Sequence, residues 1–167
     1  MKTTNILIPT DFSLTSLQTI PALMQRQPGK KFNILLVNFL GLSDSISDLL
    51  MLSRRSREYE HITQEFMDEC TRLARQYPNQ IESLQTEFFY GNTVAVFKNY
   101  LEAREVDQIA KLKDYNCALI TPNSYEPTQL LERSKYPVLT VQPFTPSPQL
   151  AKVKALHTIE EMEWQEF

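Results

Sequence analysis

Near its start the chain carries a short apolar run, Asn5-Ile6-Leu7-Ile8, that stops abruptly at Pro9-Thr10-Asp11-Phe12-Ser13. A strand buried on both faces reads as a continuous apolar run, and this one is closed at once by a breaker, a hydroxyl and an acid. That places Thr10 and Asp11 at the carboxyl edge of a first parallel strand, where open α/β sheets bind their ligands. Ser13 then stands where a helix N-cap is needed.

The rest of the chain repeats the alternation. A helix carrying Leu14, Leu17, Ile20 and Met24 on one side follows Ser13, with Pro21 expected to kink or restart it. Gln27-Pro28-Gly29-Lys30 turns the chain into a second strand, Phe32 to Phe39, nearly continuous in apolar residues and so expected to be central. From Ser43 to Tyr77 the period is helical. Tyr59, Ile62, Phe66, Cys70, Leu73 and Tyr77 share one face, and Ser53-Arg54-Arg55-Ser56-Arg57 marks a solvated join after Leu49–Leu52. Ile81 to Tyr90 alternates as a third strand, and Gly91-Asn92-Thr93 turns and caps a helix from Val94 to about Arg104. Val106 to Ala110 reads as the fourth strand. Cys117-Ala118-Leu119-Ile120-Thr121 competes for that place, but the first register spaces better with both neighbours. Ser124 to Lys135 reads as a helix and Tyr136 to Val141 as the fifth strand. The pattern defines an open, five-stranded, mostly parallel Rossmann-like α/β sheet with helices on both faces over residues 1–142. Residues 143–167 form an extension: a linker holding Pro143, Pro146 and Pro148, then an acidic helix with the single tryptophan, Trp164.

Composition narrows the function. A net charge of −3 disfavours bulk nucleic-acid binding, which needs clustered Lys and Arg. No run approaches the ~20 apolar residues of a membrane span. Met1-Lys2-Thr3-Thr4 leads straight into a strand, with no room for a signal peptide. Two cysteines, Cys70 and Cys117, make no disulfide framework, so a reducing cytoplasm is the expected compartment. Only Gly29, Gly41 and Gly91 occur, whereas a phosphate loop commonly draws on several glycines within a few residues.

Four landmarks together resemble the universal stress protein family over about residues 3 to 142. Ile6-Leu7-Ile8-Pro9-Thr10-Asp11-Phe12-Ser13 is similar to the family's opening strand and its Asp. Gly91 before a helix is similar to its Gly-Asp-Pro turn. Val106-Asp107-Gln108-Ile109, with Asp107 16 positions after Gly91, is similar to its Ala-Asp-Leu-Ile strand, and Tyr136 to Val141 to its closing Pro-Val-Leu-x-Val strand. The resemblance implies a nucleotide-binding α/β fold, an adenine contact for Asp11, and a homodimer joined through the fifth strand, Val138 to Val141. An apolar edge strand of that kind needs cover in any case, and the C-terminal extension is expected to help shape the dimer. The departure is equally specific. The family's Gly-x2-Gly-x9-Gly-Ser phosphate segment corresponds here to Lys111 through Ser124, which holds no glycine and has Pro122 in place of an amide donor.

The candidate ligand residues are Thr10, Asp11 and Ser124, with Lys111 and Lys113 as point charges that could replace phosphate-binding amides. Each has a plainer reading: Asp11 as a helix cap, the lysines as a solvated loop. Arg54, Arg55 and Arg57 around Ser56 fit a solvated helix face better than an acidic-partner dock. His61 with Glu65 and His157 with Glu161 supply two ligands each, too few for a metal site. Cys70 falls on an apolar face as a packed thiol. No nucleophile–histidine pairing is available near a strand end. The expected function is a cytoplasmic, non-catalytic regulatory or ligand-sensing domain, without a cofactor and without ATP held in the family manner. The alternatives are a residual ATP or AMP binder centred on Asp11 and an enzyme of the nucleotide α-hydrolase group.

Overall fold

The computed structural model describes residues 3–41, 60–121 and 123–143. Five strands form one sheet: β1 Thr4–Pro9, β2 Phe32–Leu40, β3 Ile81–Tyr90, β4 Gln108–Leu112 and β5 Val138–Val141. Their order is β3-β2-β1-β4-β5, and every pairing is parallel. All carboxyl ends therefore lie on one edge. Successive connections move outward from β1 in one direction to β3, then restart on its other side at β4. The switch point of such a sheet lies between β1 and β4, where Pro9-Thr10-Asp11 leaves the sheet.

Among the described residues the α-helices are α1 Thr19–Arg26, α2 Gln64–Gln76, α3 Val94–Ala103 and α4 Thr128–Arg133. Strand period 2 divides their contacts. Ile6, Ile8, Phe32, Ile34 and Leu36 point to the face where Ile20, Leu23, Phe66 and Leu73 of α1 and α2 pack. Leu7, Val37, Phe39 and Ile109 point the other way, onto Phe97 and Leu101 of α3 and Leu130 and Leu131 of α4. Both faces of the central strands are covered, which is why β1 and β2 read as unbroken apolar runs.

Several expectations shift. Ser13 does not cap α1. A 3-10 turn at Ser16–Gln18 intervenes, and the Ser13 hydroxyl accepts from the Ser16 amide at 3.2 Å. Pro21 sits in the first turn of α1, where its missing N–H has no intrahelical partner to lose, so it introduces neither break nor restart. The fourth strand lies two residues later than the expected 106–110: the Asp107 amide donates to the Asn5 carbonyl at 2.8 Å, but the Asn5 amide donates to the Asp107 side chain at 3.0 Å rather than to a strand carbonyl. The competing register, Cys117 to Thr121, is irregular chain rather than strand. The helix expected over 124–135 is only the six residues of α4, since Pro127 stands ahead of it. Of the one long helix, or two, expected over 43–77, α2 accounts for Gln64 to Gln76, begun by Thr63, whose hydroxyl accepts from the Phe66 amide at 3.1 Å. Residues 43–59 with the arginine cluster, and the extension from Phe144 on with His157, Glu161 and Trp164, lie outside the described residues. His61 precedes α2, so its i,i+4 spacing to Glu65 is not a helical one. Among the described residues no helix is long and apolar enough to cross a membrane.

Candidate functional site

The corner after β1 is built by its own side chains. The Thr10 hydroxyl accepts from the Phe12 amide at 3.0 Å, and Asp11 Oδ1 accepts from the Ser13 amide at 3.1 Å. These two local bonds are the alternative that Thr and Asp offer a backbone leaving regular structure. They hold Phe12 at φ 62°, a region that bulky residues rarely enter. The buried Phe12 ring meets Phe66 and Phe88 edge-on at 5.4 and 5.3 Å, and this packing offsets the backbone strain.

Asp11 is buried, and its carboxylate is fully engaged by the protein. Oδ1 accepts from the amide and, at 2.5 Å, the hydroxyl of Ser13. Oδ2 accepts from the Tyr115 hydroxyl and, at 2.9 Å, from the Ala118 amide. Burial alone would raise the carboxyl pKa, but the bonds from Ser13, Tyr115 and Ala118 outweigh it and the net shift is downward. The Tyr115 hydroxyl is pushed up by burial and by its bond to Asp11. A carboxylate held below its unfolded value of about 3.9 stabilises the fold above that pH. The contribution is lost as pH falls through the folded value. A melting-temperature titration from pH 6 to 2 should therefore show an acid-side loss that is absent from Asp11→Ala. Equal slopes for the two proteins would contradict it.

The segment that engages Asp11 runs from β4 to α4 and lies along the carboxyl edge of the sheet. Past Ala118 it reaches β2, where Ser124 bridges Leu40 antiparallel, the Asn123 carbonyl accepts from the Gly41 amide at 2.8 Å, and the Tyr125 amide donates to the Phe39 carbonyl at 3.3 Å. The Tyr125 hydroxyl then donates to the Gly91 carbonyl at 2.5 Å, beyond the end of β3. The space left beside β1 and β4, lined by Pro9, Thr19, Lys111, Tyr115, Cys117 and Glu126, is about 10 Å³. That is room for about one water molecule.

The sequence candidates do not converge. Thr10 and Asp11 adjoin, but the Thr10 hydroxyl is committed to Phe12 and to Ser16 at 2.8 Å. Lys111 was expected at an open edge; it is the fourth residue of β4, and its ammonium donates to the Thr128 hydroxyl at 2.9 Å. Thr128 in turn donates to Glu126 from its hydroxyl at 2.7 Å and its amide at 2.9 Å. Lys113 is exposed, its amide tied to the Val141 carbonyl at 2.8 Å. Ser124 is buried in a turn, accepting from the Thr121 amide at 3.0 Å. Sequence reasoning missed Tyr115 and Ala118, since nothing local marks a tyrosine or an alanine amide as a carboxylate's partner. It also missed Cys117, whose thiol is pushed up to about 12 by burial and by the charges of Asp11 and Glu126. Both Cys70 and Cys117 are free.

No family model and no curated protein sequence matches the chain. Solved structures do. The universal stress protein UspA from Lactobacillus plantarum aligns over 83% of this chain and 97% of its own, with a TM-score of 0.53 at 16% identity. A hypothetical protein, PH0823, aligns over 86% of this chain and 99% of its own, with a TM-score of 0.52 at 16% identity. At such identities the likeness is one of fold. This chain has the universal stress protein fold, as its four landmarks led one to expect.

Proposed function

We propose that this chain is a divergent universal stress protein-like domain with a regulatory or ligand-sensing role, non-catalytic, and not binding ATP in the family manner. One observation carries the reading: the Asp11 carboxylate, which would meet a base, is saturated by Ser13, Tyr115 and Ala118. The glycine-free stretch from Lys111 to Ser124 adds to it, since a phosphate would find few backbone amides it could approach closely. β5 is an edge strand, which favours a homodimer joined through Val138 to Val141, and the extension after Pro143 is proposed to contribute to that contact. A cytoplasmic setting fits two unpaired thiols.

The alternative, residual ATP or AMP binding, rests on Asp11 keeping its place at the end of β1. It requires Tyr115 and Ala118 to leave the carboxylate first. An enzyme of the nucleotide α-hydrolase group would need phosphate ligands that Lys111 and Lys113 do not bring together. Calorimetry of the purified chain with ATP and magnesium is expected to show no saturable binding below the millimolar range. A dissociation constant of about 1 μM, or ~8 kcal/mol of binding, would overturn the closed-cleft reading.

A further inference from the structure

Residues 115–120 lie between two local landmarks. On one side Asp114 adopts φ 57°, just past the end of β4. On the other, Thr121 and Ser124 close a turn on themselves, the Thr121 amide donating to the Ser124 hydroxyl at 3.0 Å and the Ser124 amide to the Thr121 carbonyl at 3.1 Å. Beyond that turn the chain is fastened to β2 by the backbone bonds of Asn123 and Tyr125. Between these landmarks, among the described residues, every hydrogen bond to the rest of the protein ends at Asp11 or Ser13. Apolar burial is limited: Asn116 and Ala118 are exposed, Leu119 is 64% exposed, and Tyr115, Cys117 and Ile120 are each only partly buried. A segment with few buried contacts and one polar fastening opens at lower free energy than the sheet beneath it.

We propose that residues 115–120 are a flap over the carboxyl edge of β1, opening between Asp114 and the Thr121–Ser124 turn, with the Asp11 carboxylate as its latch. Closed, the flap supplies the donors that a ligand would otherwise bring. Open, it exposes Asp11, Ser13 and Cys117 together, so access to the edge is governed by the latch rather than by a fixed cavity. This device rests on the closed cleft proposed above and adds its regulation.

Cys117 reports the motion directly, because it lies in the flap and lines the small space beneath. The measurement is the rate of iodoacetamide labelling at Cys117 and Cys70 in the folded full-length chain, resolved by peptide mass spectrometry. Tyr115→Phe is the discriminating variant: it removes the hydroxyl's contacts with Asp11 and Ser13 while keeping the Ala118 bond and the Asp11 charge that bears on the thiol. It should speed labelling at Cys117 at least tenfold and leave Cys70, on α2, unchanged. Hydrogen exchange at Ala118 should accelerate in parallel, with the amides of β1 and β2 unaffected. Unchanged Cys117 and Ala118 rates would refute the flap. So would acceleration of Cys70 in step with Cys117, because that is global unfolding. ATP binding by the unmodified chain would remove the closed-cleft reading and leave the labelling result standing, so the two failures are separately readable.

Discussion

Phe97→Ala is expected to lower the stability of this domain by about 3–5 kcal/mol, the usual cost of emptying a fully buried aromatic site. Phe97 has no exposed surface and meets Phe39 and Phe89 edge-to-face at 5.5 and 5.3 Å. It pins the middle of α3 onto β2 and β3 through an aromatic cluster, so neighbours held on three elements cannot collapse into the void. A domain typically has only about 5–15 kcal/mol in all. The variant should therefore unfold at a much lower denaturant concentration, with the slope of the transition unchanged. A loss below about 1 kcal/mol would show that α3 is not held as described.

Asp11→Asn is the second large effect, and it runs against the simplest expectation from sequence. If Asp11 were only a cap, Asn would replace it almost freely, and Ala would cost about 1 kcal/mol. Here each carboxylate oxygen faces an obligate backbone donor: Ser13 N–H on Oδ1 and Ala118 N–H on Oδ2. An amide has one acceptor atom, so either rotamer sets its NH2 against one of those N–H groups. These bonds are part-buried, so the donor left unmade costs at most about 1–3 kcal/mol. Urea denaturation at pH 7 checks this. Asp11→Asn at wild-type stability would return Asp11 to the role of a simple cap.

The two substitutions also mark how far the sequence could be read. The helix that carries Phe97, read as Val94 to about Arg104, belongs to the part that was open to inspection. Apolar period and turn chemistry located all five strands, β3 at its observed limits and β4 two residues away. The Gly91–Thr93 turn was legible because both its requirements are local. Gly91 takes φ 148°, where an added Cβ would press on Val96 at 3.1 Å, and the Thr93 hydroxyl accepts from the Val96 amide at 3.3 Å. The position of Asp11 at a strand end was legible for the same reason. Its partners were not. Tyr115 and Ala118 lie 104 and 107 residues further along the chain, and no local pattern registers such a pair.

Lys111 and Lys113 show the same division. By composition they are two cations near a sheet edge, equally fit for an anion or for water. A shift of two residues in β4 set Lys111 within the strand, beside Thr128 at the start of α4, and left Lys113 beyond it in solvent. Where the strand ends decides this case: Lys111 is held within β4, and Lys113 is the first residue past it. What the sequence by itself determined is the order of strands and helices, the apolar faces that bind them, and the corner that carries Asp11. All of these follow from interactions within a few residues of one another. What only the tertiary structure decided is that Tyr115 and Ala118 come to the carboxyl end of β1 and bond the Asp11 carboxylate there. That outcome depends on bonds between chain segments about a hundred residues apart, and these exist only once the sheet has brought β1 and β4 side by side.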